Sequence, residues 1–121
     1  MKNSSIINAD DVLKIGADSL IHLDEKKALN PLCMDLRQVS NYFDFFLIAT
    51  GNSKTHCTAL AKDMIKFLHE KGLKEYNKPD INSEWIVLDF GSLIVHIFTE
   101  EMRAYYQLEK LWGDAEIIHN A

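Results

Sequence analysis

The chain has 121 residues, 47% of them hydrophobic, and a formal net charge of −5 at pH 7. That length holds one domain around a single core, and the composition is ordinary for a folded globular chain. No apolar run approaches the ~18 to 20 residues of a membrane-spanning helix. The opening MKNSSIINADD has the character of neither a signal peptide nor a transit peptide, so the default expectation is a cytoplasmic protein with no membrane contact.

Arg37 and Arg103 are the only arginines, and no lysine-rich stripe is visible, which argues against a direct grip on a phosphate backbone. A contact near nucleic acid would then be made to a basic protein. Cys33 and Cys57 stand far apart with no CxxC and no companion Cys or His at ligand spacing. They point to reduced packing residues, not to a disulfide scaffold or a metal site, and no cofactor is called for.

In chain order, Asn8 can cap a first helix whose opening turn holds Asp10 and Asp11, carboxylates that the positive end of the helix dipole favours. Leu13, Ala17, Leu20 and Ile21 recur at helical spacing, and the helix should stop near Lys26 and Lys27. Leu32 to Leu36 reads as a short strand and Ser40 to Asp44 as a turn. Phe45 to Thr50 reads as a second strand with no polar alternation, hence covered on both faces and central. Ser53 then caps a helix with the apolar stripe Cys57, Leu60, Ala61, Met64 and Leu68, ended at Gly72. Lys74 to Glu84 is polar, contains Pro79, and reads as a loop with at most a short edge strand.

The segment WIVLDFGSLIVHIF, Trp85 to Phe98, places two apolar runs around Gly91 and Ser92, a two-residue hairpin loop. Pairing Phe90 with Leu93 sets the faces. One carries Ile86, Leu88, Phe90, Leu93, Val95 and Ile97, a pure core. The other carries Trp85, Val87, Asp89, Ile94, His96 and Phe98, a mixed set suited to a surface that something else covers. Thr99 then caps a last helix opening with Glu100 and Glu101, in which Tyr105, Leu108 and Trp112 recur before Gly113. The domain spans residues 1–121 with a core from about 8 to 115, and the tail is expected to fray.

Several catalytic readings are open to these residues. The Gly51, Asn52, Ser53 turn between strand and helix can present unpaired backbone N–H groups to an anion. Neither a Walker pattern nor GxGxxG accompanies it, and Asp89 has no second carboxylate two residues away to hold magnesium against a phosphate. Ser53, His56 and Asp89 contain the residue types of a hydrolase triad, yet no GxSxG elbow exposes the serine. Simple capping by Ser53, an exposed His56 at the helix start and a bond between His96 and Asp89 across the hairpin are the simpler expectations. Trp85 reads equally as an edge cover or an interface anchor. Of Tyr105, Tyr106 and Trp112, most should pack, with one tyrosine face left for a partner.

Three segments, DFFLIATGNSKTHCTALA, WIVLDFGSLIVHIF and EEMRAYYQLEKLWGDA, together resemble the signature segments of the ribosomal silencing factor (RsfS, or Iojap) family. The resemblance runs from about Asp35 to Ala115, in order and at the family's separations. It implies a single α/β domain, a mixed β-sheet flanked by helices, similar to nucleotidyltransferases in fold but without their active site. It further implies a non-enzymatic protein that binds the large ribosomal subunit through ribosomal protein L-fourteen, obstructs subunit joining and slows translation when nutrients are scarce. Little or no direct nucleic-acid contact and a homodimer when free belong to the same expectation.

On the matching positions, the contact surface would comprise Trp85, Asp89, His96 and Phe98 of the hairpin's mixed face with Glu100 or Glu101 nearby. Asp89 would meet a lysine or arginine, and Tyr105 and Tyr106 match the family's helix motif. The chain departs from the family pattern in LKEYNKPDINSE, between Gly72 and Trp85, and at Phe43, where a small residue is more usual. Two other readings stay beside this one. They are a degenerate nucleotidyltransferase or nucleotide-binding domain using the Gly51 to Ser53 turn, and self-association through the mixed face.

Overall fold

The computed structural model describes residues 8–119. Helix α1, Ala9–Glu25, begins at Asn8 in a capping box: Asn8 Oδ1 accepts from Asp11 N at 2.9 Å, and Asp11 Oδ2 accepts from Asn8 N at 3.3 Å. Two first-turn donors are thereby satisfied reciprocally. The helix ends where the reading of Lys26 and Lys27 placed it, with Lys27 in the left-handed region at φ 68°.

Strand β1, Leu29–Asp35, starts three residues before the expected Leu32. Pro31 is tolerated because β1 pairs with the last strand of the sheet only from Cys33 onward, so no ladder bond needs the missing N–H. Asn30, at φ 47°, and a shift of register between Leu29 and Leu32 absorb the irregularity. Strand β2, Phe45–Gly51, is buried at every position, as its unbroken apolar run requires. Helix α2, Lys54–Glu70, is capped by Ser53 Oγ, which accepts from His56 N at 3.0 Å, and buries the expected stripe of Cys57, Leu60, Ala61, Met64 and Leu68.

Strands β3, Trp85–Asp89, and β4, Leu93–Thr99, form the hairpin in the anticipated register, Trp85 opposite Phe98 and Asp89 opposite Ile94, closed by Phe90 N donating to Leu93 O at 2.9 Å. Gly91 sits at φ 81°, the positive value that a two-residue hairpin turn demands. The sheet order is β3-β4-β2-β1, continued by β5, Glu116–Ile118, against β1. β2 and β4 run parallel and the remaining pairs antiparallel, a mixed sheet with β2 at its centre.

Two expectations are corrected. The tail does not fray at residues 116–118, because Glu116, Ile117 and Ile118 pair with Asp35, Met34 and Cys33. The last helix is not continuous. It is split into α3, Glu100–Tyr106, and α4, Leu108–Leu111, by Gln107 in the left-handed conformation at φ 48°.

The two faces of the sheet are covered unequally. One lies under α1 and α2, where Ile86, Leu88, Phe90, Leu93, Val95 and Ile97 join the main core, all at most 3% exposed. The other face holds a smaller cluster of Met34, Leu36, Phe46, Ile48, Phe98 and Leu108, covered by α3, α4 and the segment that follows. The loop 71–84 runs along the outer edge of β3. There Asn77 Nδ2 donates to Val87 O at 2.8 Å, Asn77 Oδ1 accepts from Asp89 N at 3.0 Å, and Tyr76 N donates to Asp89 O at 2.7 Å.

Candidate functional site

The Gly51 to Ser53 turn answers to packing. A Cβ on Gly51 would stand 2.6 Å from Cys57 Sγ and 2.8 Å from Cys57 N, so glycine is what allows α2 to lie so close to β2. Three of the backbone donors around the turn are engaged within the chain. Asn52 N donates to His56 Nδ1 at 2.9 Å, His56 N donates to Ser53 Oγ, and Cys57 N to Ser53 O at 3.0 Å. With Nδ1 accepting, the His56 proton sits on Nε2 and donates to Lys26 O at 3.0 Å. His56 is therefore half-buried and fully engaged, neither the exposed residue expected nor a general base beside Ser53.

Next to this turn, β2 leads to α2 on one face and β4 leads to α3 on the other. That is the topology at which open α/β sheets commonly form a binding crevice. Here the crevice, a cavity of about 290 Å³, is lined by Thr50, Glu100, Arg103 and Glu109 among others. Arg103 is already spent inside it. Its Nε donates to Glu109 Oε2 at 2.9 Å, and its Nη1 donates to Asn30 O at 2.9 Å and Thr50 Oγ1 at 3.0 Å. The guanidinium works as a clasp between α3, α4 and the sheet. Sequence reasoning missed it because Arg103 and Glu109 are six residues apart, a spacing that no helical pattern pairs.

On the second sheet face the candidate residues fall into two groups. Trp85, at the start of β3, is half-buried and packs on Tyr106 with ring centroids 4.7 Å apart, on Phe98 at 5.3 Å and on His96 at 5.9 Å. Its Nε1 donates to His96 Nδ1 at 3.1 Å. Tyr105 stands edge-on to Tyr106 at 4.9 Å. Both tyrosines are open to solvent, Tyr105 79% and Tyr106 46%, where only one was expected to be. Glu100 and Glu101 are exposed on the first turn of α3, whose N-cap Thr99 accepts from Met102 N at 3.4 Å. The aromatic group and the acidic first turn of α3 thus lie toward the same end of the hairpin.

Asp89 lies apart from them, four residues along β3 and so roughly 13 Å away. It does not bond to His96. Its Oδ1 accepts from Gly91 N at 2.8 Å and braces the hairpin turn.

Phe98 and His96 are likewise not surface residues. Phe98 is 0% exposed and His96 7%, because α3 folds back over them and Tyr106 closes on Trp85. His96 meets Phe46 edge-on at 4.6 Å, and burial pushes its pKa down to about 4, so the ring is neutral. With Nδ1 accepting, the proton is on Nε2, which is buried without a partner; Glu109 Oε1 shares that condition among the described residues. Both atoms belong to this second face, the less completely satisfied side of the sheet.

No cluster of metal-ligating side chains occurs among the described residues, and no helix there is long and apolar enough to cross a membrane. Fold and site together define a small mixed α/β domain whose candidate site is an aromatic and acidic surface beside a clasped crevice.

The chain belongs to the ribosomal silencing factor family: the family model described as "Ribosomal silencing factor during starvation" matches residues 11–121. It is 35% identical over 112 residues to the ribosomal silencing factor RsfS of Bacillus subtilis, covering 92% of each chain. To the RsfS of Halalkalibacterium halodurans it is 37% identical over 97 residues, 79% of this chain and 83% of the relative. In structure it is similar to protein CV0518 from Chromobacterium violaceum, with a TM-score of 0.75, 26% identity and 88% of each chain covered.

Proposed function

We propose that this protein silences ribosomes by occupancy, binding the large subunit through ribosomal protein L-fourteen and excluding the small subunit by its volume. No bond is made or broken in such a mechanism. It requires only that binding outcompete subunit joining, which would repress translation when nutrients are limiting.

The observation that carries this reading is Trp85. It is a half-exposed indole on an edge strand, packed at a tilt against exposed Tyr106, at the end of the hairpin from which α3 starts with Glu100 and Glu101. Aromatic anchors supply most of the affinity at protein interfaces, and acidic rims speed and orient the approach of a basic partner. Tyr105, Tyr106, Glu100 and Glu101 are the contacts proposed beside Trp85. Asp89 is a peripheral contact for a lysine or arginine, and His96 and Phe98 support the surface from beneath. The protein is proposed to act in the cytoplasm with little direct nucleic-acid contact. Free, it would pair with a second copy through the same face, in competition with the ribosome.

The test is subunit reassociation. Large subunits are preincubated with the protein, small subunits are added, and the mixture is resolved on a sucrose gradient. Wild type should travel with the large subunit and keep the subunits apart, and Trp85→Ala should do neither while remaining folded. Wild type that neither binds nor inhibits would sink the proposal.

A further inference from the structure

We infer that His96 is a positioning residue for Trp85, its Nδ1 accepting the indole N–H and so fixing the attitude in which the indole presents its open face. The inference rests on Trp85 being the anchor proposed above.

The imidazole is costly where it stands. Among the described residues its Nε2–H is buried without an acceptor, and a buried donor left unsatisfied is destabilising. A phenylalanine would occupy similar space, keep the edge-on contact with Phe46 at 4.6 Å and bury no polar atom. Packing therefore gives no reason for a histidine at this position. What the imidazole supplies, and a phenyl ring cannot, is the acceptor 3.1 Å from Trp85 Nε1.

Trp85 needs that acceptor. Phe98 at 5.3 Å and Tyr106 at 4.7 Å hold the indole in place by apolar contact. Apolar contact does not decide which edge points inward, because rotation about the bond to an aromatic ring is broad. The directional bond to His96 does decide it. The indole N–H is turned down toward the sheet and the benzenoid edge is left at the surface, an arrangement suited to an apolar pocket on a docking protein. Burial keeps the imidazole uncharged and thus keeps Nδ1 an acceptor at neutral pH.

Two variants separate positioning from packing. His96→Phe keeps volume and removes the acceptor; His96→Asn removes the ring but places Oδ1 near the former Nδ1. The indole N–H signals of the two tryptophans are recorded by NMR in the free protein, Trp85 being assigned with Trp85→Phe. Sedimentation with isolated large ribosomal subunits is measured in parallel.

In His96→Phe, the Trp85 indole N–H should shift and exchange with solvent at least ~10-fold faster. The unfolding midpoint should hold or rise, and subunit binding should weaken ~10-fold, a change of about 1.4 kcal/mol. His96→Asn should restore indole protection and part of the binding despite lower stability. An unchanged indole signal in His96→Phe overturns the inference, as does unchanged binding once the indole is released. If wild type itself fails to bind large subunits, the ribosomal reading falls, and the indole measurements alone decide whether His96 orients Trp85.

Discussion

Arg103 and Glu109 meet across the left-handed Gln107, Nε to Oε2 at 2.9 Å, so that a single ion pair spans the break between α3 and α4. Arg103 also satisfies Thr50 Oγ1, on a residue 1% exposed, and the carbonyl of Asn30. α3 has no buried residue of its own. Its place on the sheet depends on this clasp, on Met102 packed against the second core cluster and on the contact of Tyr106 with Trp85.

Arg103→Ala should accordingly cost about 2–3 kcal/mol, since it leaves a carboxylate, a carbonyl and a hydroxyl without their donor. Glu109→Gln should cost about 1 kcal/mol, because an acceptor oxygen remains while the charge is lost. Urea unfolding of the two variants checks the order. Equal losses would mean that the pair's charge, and not the wider clasp, holds α3.

Gln107→Gly should stabilise the protein by roughly 0.5–1 kcal/mol, because a side chain at φ 48° pays a steric cost that glycine escapes. Thermal unfolding measures it. A loss of stability would show that the freedom glycine adds to the unfolded chain outweighs that cost.

Gly51→Ala should destabilise by about 1–3 kcal/mol, the usual cost of overpacking. The new methyl would meet both the Cys57 sulfur and its backbone nitrogen, and backbone cannot turn aside as a flexible side chain can. Denaturant unfolding gives the value, and a change near zero would show that α2 can lift from β2 at no cost.

The pH dependence of stability should carry the mark of His96. Its folded-state pKa of about 4 lies below the ordinary 6.5, so the unfolded chain binds the proton first as pH falls. The contribution is complete above pH 6.5 and is lost as the pH falls through 4, on the order of 3 kcal/mol in all. Asp35, held low by its hydrogen bonds from Arg37, and Glu75, held low by His69, lose their own contributions further into acid. Comparing His96→Phe with wild type from pH 7 to 4 isolates the histidine. The difference should grow in favour of the variant as pH drops, and parallel curves would contradict the assignment.

The hairpin was legible to the residue. Two apolar runs around Gly91 and Ser92 admit one register that gives a pure core face, and that register forms. The caps at Asn8, Ser53 and Thr99 were equally plain, because a short polar side chain before an amphipathic run has few other uses. The break at Gln107 was not, since glutamine carries no left-handed preference and the conformation is imposed by Arg103, Glu109 and the burial of Leu108. The site was half legible for the same reason. Strand alternation placed Trp85, His96 and Phe98 on one face correctly, but it carries no information that α3 would fold back and cover two of them. β5 escaped notice because three residues at a chain end owe their structure to the strand they join.

The bonds from Asn77 and Tyr76 to Val87 and Asp89 bear on how this protein behaves when concentrated. An exposed strand edge is a template for adding further strands, and proteins that leave one open invite aggregation. Here a loop with the look of a spacer does part of the work of a sixth strand, occupying hydrogen-bonding groups along the rim of β3. Edge-to-edge growth is obstructed on that flank, so copies that come together there must do so flat against the sheet. The segment 73–84 thereby shields this edge of the sheet.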